Sequence, residues 1–103
     1  MSENKEKRMI ASTGYEFVMS THIGYSEILV GENMSEPEGN YYFIANYKEH
    51  GIIGEYFGSQ ASGDYLEIMR EFATRMNTQI EAVSAEISAA EYQAELIAPE
   101  SVR

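Results

Sequence analysis

Acid–base or metal chemistry in this chain would have to come from two histidines, His22 and His50, a single aspartate, Asp64, and a large set of glutamates. Cysteine is absent, which leaves no thiol nucleophile, no disulfide and no thiolate zinc site. The two histidines fall on a predicted strand and a predicted turn, with no spacing that would bring two ligands to one metal. No G-x-S-x-G elbow, P-loop or G-x-G-x-x-G array occurs, and the glycines read as turn and bulge residues. A glutamate beside His22 would make an acid–base pair, but any folded domain offers such a pair. The expectation is a protein that is not an enzyme, with no catalytic residue, no bound metal and no cofactor.

Charge and tyrosine remain. Seventeen acids face seven bases in 103 residues, and residues 9–102 carry 15 acids against Lys48, Arg70 and Arg75, a net of −12. Such a body repels phosphate backbones, so direct nucleic-acid binding is not expected. The same field draws it toward basic clefts, including those built to hold nucleic acid. Any single glutamate is as readily part of a solvated face that keeps a small protein soluble. The candidate partner-binding set is Glu27, Glu32, Glu55 and Tyr42 on the strands, with Glu67, Glu71, Glu81 and Glu86 on the helix. In "YYFIANYK", strict alternation sends Tyr41, Phe43, Ala45 and Tyr47 one way and Tyr42, Ile44, Asn46 and Lys48 the other. Aromatics on both faces mean that some are exposed, and tyrosine beside charge is common at interfaces. The aromatic sheets of single-strand RNA binders need flanking lysine and arginine, and here Lys48 is nearly alone.

The elements that must position these residues are legible in outline. "MSENKEKRMIAS" reads as a flexible polar lead-in over 1–12, without the apolar core of a signal peptide. A single α+β domain is expected over 13–98 and a tail over 99–103. Strands are predicted at 15–23, 27–32, 41–48 and 52–58, separated by glycine-bearing turns and a polar loop over 33–40. Short connections make an antiparallel four-stranded meander the default. Asp64 and Glu67 form a capping signal for a long amphipathic helix packed on one face of that sheet. Its stripe is Tyr65, Met69, Phe72, Met76, Ile80, Val83 and Ile87. Ser88 and Glu91 repeat the signal, so either a short second helix begins there or the first continues, ending at Pro99; the expected fold carries a short C-terminal helix. A helix over 64–87 is about 36 Å long at ~1.5 Å per residue, whereas a seven-residue strand spans about 24 Å. Ile80, Val83 and Ile87 therefore outrun the sheet and need a homodimer partner, another protein or the chain's own C-terminus as cover. No apolar run approaches the ~20 residues that span a bilayer, so no membrane is expected as a partner, and the lack of cysteine fits a cytoplasmic protein.

The hairpin "IGYSEILVGEN", the strand "YYFIANY" and above all "GDYLEIMREFATRM" lie in a segment covering about 60% of the chain. That segment resembles a small module carried on plasmids and conjugative elements of Gram-positive bacteria. In size, charge and genetic company the chain also resembles the type II-A anti-CRISPR proteins. The resemblance implies a non-enzymatic inhibitor of an RNA-guided Cas nuclease, whose acids compete with guide RNA or target DNA for a basic surface. It transfers no individual residue, because that group shares no common motif. An antirestriction DNA mimic, or an accessory module for conjugative DNA processing that binds through the helix stripe, are the alternatives.

Overall fold

Two Gly-first turns set the frame of the sheet. Gly24 and Gly51 adopt φ of 66° and 69° and are followed by Tyr25 and Ile52. A two-residue turn with glycine first and a positive φ is the type II′ arrangement, whose twist matches that of paired strands. In the computed structural model, which describes residues 8–97, these turns close two hairpins. The first joins β1 (Glu16–Ile23) to β2 (Ser26–Glu32), and the second joins β3 (Tyr42–His50) to β4 (Ile53–Ser62). The 33–40 loop links the hairpins, and all pairings are antiparallel in the order β1-β2-β3-β4. The predicted meander is present.

The loop is held from within. One carboxylate oxygen of Glu36 accepts the backbone N–H groups of Glu38 and Asn40 at 2.9 and 2.8 Å. The Tyr15 hydroxyl donates to the Asn40 carbonyl at 2.7 Å, tying the loop to the start of β1.

After Ser62 the chain enters a single helix, α1 (Tyr65–Ile97), of 33 residues. Asp64 caps it as predicted: its carboxylate accepts the N–H groups of Leu66 at 2.9 Å and Glu67 at 3.3 Å. Glu67 reaches back two residues further than a standard capping box, accepting the Ser62 hydroxyl at 2.8 Å, while that hydroxyl accepts the Asp64 N–H. The expected separate C-terminal helix is not found among the described residues. Residues 65–97 contain no glycine or proline, and alanines dominate 82–94, so nothing interrupts α1 at Ser88. Pro99 and the expected 99–103 tail lie outside the described residues.

The sheet buries apolar side chains on both faces. Beneath α1, Ile28, Val30, Ile44 and Ile68 are sealed, flanked by Met19, Tyr42, Met69, Phe72 and Met76. Ile68, outside the predicted stripe, is the helix residue that inserts completely, while Tyr65 is left 45% exposed. The other face holds Leu29, Phe43 and Ala45 under Ile10 and Tyr15, with Phe17 alongside. Ile10, expected in the polar lead-in, thus joins the core: it is 2% exposed, and beside it Tyr15 stacks on Phe43 with ring centroids 4.8 Å apart. The Ile10 N–H donates to the Tyr15 carbonyl, the Phe17 N–H to the Arg8 carbonyl, and Met9 bridges to Glu16. Residues 1–7 lie outside the described residues. The result is three layers: N-terminal segment, sheet and helix.

Candidate functional site

The pairing registers bring one residue from each strand into a single row on the face away from α1. His22 stands opposite Glu27, Glu27 opposite Tyr47, and Tyr47 opposite Tyr56. Directly opposed residues have Cβ atoms about 4.5–5.5 Å apart, so the row is a continuous strip of imidazole, carboxylate and two phenols. The Tyr47 and Tyr56 rings lie 4.9 Å apart and tilted at 54°. Tyr47 lies over Gly54, in space that any Cβ would occupy.

Ile10 and Tyr15 seal only the end of this face near the 33–40 loop. At the hairpin end it is open, and a depression of about 400 Å³ is lined by His22, Gly24, Tyr25, Glu27, Tyr47, Glu49 and Gly51. Tyr25 is 80% exposed at the first turn tip and Ile52 wholly exposed at the second. Among the described residues, the opening carries two carboxylates, three phenols and no lysine or arginine. Such a surface can accept hydrogen bonds from lysine or arginine and stack a guanidinium on a phenol ring. Among the described residues, no group of three or more His, Asp or Glu is placed to hold a metal ion. No helix among them is long and apolar enough to cross a membrane.

The predicted partner-binding residues do not form one surface. Glu27 belongs to the open row. Glu32 and Tyr42 sit opposite each other at the far end of the strands, on the helix side. Tyr42 is half-buried in the helix-side core, edge-on to Tyr65 with centroids 5.4 Å apart. Glu55, on the outer strand β4, stands opposite Lys48 of β3. Glu67 is engaged with Ser62, and Glu71 with Arg75 at 2.8 Å. Glu81 and Glu86 are exposed on later turns of α1. Of the predicted partner stripe, Ile80 and Ile87 are 48% and 55% exposed, whereas Val83 packs on Gly24.

Arg75 does more than pair with Glu71. Its guanidinium also donates to the Asn46 side-chain oxygen at 2.8 Å and to that of Gln60 at 3.3 Å. It lies over the bulge where Asn46 pairs with Phe57 and Ile44 with Gln60, and where Gly58 takes a φ of 67°. One of the few bases is therefore committed to docking the helix. The carboxylates of the open row have no cation bonded to them among the described residues.

The open row was legible only in part. Alternation puts Tyr47 on the face opposite Ile44, and Glu49 with it because β3 runs on to His50, but Glu27, Tyr56 and His22 join it through cross-strand registers that local pattern does not carry. No protein-family model, curated protein or solved structure matches this chain.

Proposed function

We propose that this protein is a non-enzymatic, cytoplasmic inhibitor that occupies a basic nucleic-acid-binding surface on a target protein, the target being a type II RNA-guided Cas nuclease. The observation that supports it best is the open row of Glu27, Tyr47 and Tyr56 with Glu49 beside it, on a body of net charge −10. Carboxylates mimic the charge of phosphates, and tyrosines supply rigid contact area at low entropic cost. The choice of nuclease rests on the resemblance to type II-A anti-CRISPR proteins; a restriction enzyme would offer the same kind of surface to an antirestriction mimic.

A guide-loading assay tests this reading. Labelled guide RNA is loaded into a type II-A effector at low and high salt, with and without an excess of this protein. Loss of loading or of target cleavage, relieved by salt, is the expected result, because screening weakens exposed charge contacts. Normal loading and cleavage at every ratio would remove the nuclease from consideration.

A second reading is favoured by the exposure of Ile80 and Ile87: an accessory module for conjugative DNA processing that binds a protein through the helix stripe. Its binding would survive moderate salt and fail when Ile87 is made polar.

A further inference from the structure

Beyond Met76 the apolar stripe of α1 runs on past the sheet core. Met76, Ile80, Val83, Ile87 and Ala90 follow at steps of four, three, four and three, and the sequence continues with Ala94 and Ile97. The stripe meets the sheet at the same spacing as far as Met76, and past it a 3.5-residue repeat suits packing along a second helix. The hairpin end reaches no further than Val83, which meets Gly24. From Ser84 to Tyr92 every residue is exposed, Ile87 and Tyr92 by 55% and 60%. The 33-residue helix is about 50 Å long. The radius of gyration is 18.7 Å, against about 13 Å for a compact domain of this length. A helix half-projecting from its domain has an apolar seam to cover.

We infer that the outer half of α1 pairs with the same segment of a second copy of this chain, in antiparallel orientation. Three features select that partner and direction. The first is shape. Each sheet fills the stripe side of its helix up to Val83, so parallel copies in register would bring two sheets into one volume. Antiparallel copies place the sheets at opposite ends.

The second is size. Centring the pair between Ile87 and Ala90 sets each Ile87 against Ala90 of the second copy. Large residues then face small ones in the central layers, which is how facing helices interdigitate. The third is charge. Parallel copies would place Glu86 beside Glu91 of the second copy. The antiparallel register puts Glu86 beside position 93, a glutamine, and Glu91 beside Ser84. Glu81 sits away from the seam. The last turn of α1 carries no basic residue, and opposed helices also set their dipoles head to tail.

Residual repulsion between two acidic helices makes salt favour this dimer, opposite to its expected effect on a basic target. Sedimentation equilibrium of the full chain, from micromolar to near-millimolar at low and high salt, reads the mass directly. The expected mass rises from one to two chains, at lower concentration in high salt. Ile87→Glu, at a position already exposed, should hold it at one chain with an unchanged melting curve of the sheet. Because the chain has no cysteine, disulfides report orientation. Under oxidation, Ile87→Cys chains mixed with Ala90→Cys chains should link to each other faster than Ile87→Cys links to itself. A single-chain mass under all conditions, an I87E chain that still dimerises, or faster 87-to-87 linkage would each overturn the proposal.

Discussion

Gly24 and Val83 meet where the helix leaves the sheet: a Cβ on Gly24 would stand 2.7 Å from Cγ2 of Val83. Gly24 has no side chain because two demands coincide there, a φ of 66° for the turn and the close passage of α1. Gly24→Ala should cost about 2–4 kcal/mol, from the left-handed backbone and from overpacking together. Val83→Ala in the same chain should restore about 1 kcal/mol of that loss, leaving the backbone penalty. Thermal melting of the two single variants and the double variant tests this. Purely additive losses would mean that the turn and the helix do not press on each other.

The Arg75 fork predicts that charge alone is not enough. Arg75→Ala removes bonds to Asn46, Gln60 and Glu71 and should cost about 1–3 kcal/mol. Arg75→Lys keeps the charge facing Glu71 but cannot hold three acceptors in one plane, so it should recover less than half of that loss. Urea midpoints at constant m-value give the comparison.

Ile10 should behave as a core residue although its sequence surroundings are polar. Ile10→Ala is expected to destabilise by about 2–4 kcal/mol, a fall in melting temperature of about 10 °C or more. Met9→Ala, at a neighbour 52% exposed, should change little. Equal effects would place Ile10 outside the core.

Tyr15 gives the fold an alkaline limit. Burial, then the nearby Glu36 carboxylate, raises its phenol above the ordinary tyrosine value. A raised folded-state value means that the native state holds the proton more tightly than the unfolded chain. The stabilisation is fully present below about pH 10 and is lost as pH climbs through the raised value. Tyr15→Phe should lose about 1 kcal/mol at neutral pH with the bond to Asn40, yet fall off less steeply in base. Melting temperatures from neutral to alkaline pH, compared between the two proteins, test the sign.

For target binding, the geometry separates acids that the sequence groups together. Glu27→Lys with Glu49→Lys should abolish inhibition of guide loading while leaving circular dichroism unchanged, because both line the open end of the sheet. Glu32→Lys with Glu55→Lys alters the charge equally but on the helix side, and should weaken inhibition only slightly. Equal losses from the two pairs would show that bulk charge, not the open row, carries binding.

The strands and the Asp64 cap could be read from the sequence because their signals are local: alternation, glycine at turns, and an acid two residues ahead of the N–H it accepts. Ile10 could not, since one isoleucine in a polar stretch has no period to betray it. Ile68 was hidden for another reason. Tyr65 and Met69 lie beside it at helical spacing, and only the sheet decides which member of a wide stripe points straight down. The open row depends on three registers, one of them beyond a bulge at Gly58, and pairing distance is invisible to a local pattern. At Ser88 the sequence left a new helix or a continuing one open, and the helix continues because a capping signal inside an unbroken run of helix formers does not stop it.

The two-sided core imposes an order on the nascent chain. As the ribosome releases residues in sequence, Ile10 and Tyr15 can close over Leu29, Phe43 and Ala45 once β3 has emerged, so the small core on that face can form early. Ile28, Val30 and Ile44, on the opposite side of the same strands, have no cover until Ile68, Phe72 and Met76 follow the whole of β4 out of the tunnel. During that interval the growing protein is a half-clad sheet, dry on one side and bare on the other. Bare sheet faces of this kind bind holdase chaperones and pair wrongly with neighbours on a polysome. The cap at Asp64 sits at the end of the covering helix that emerges first, so that helix carries its own start signal.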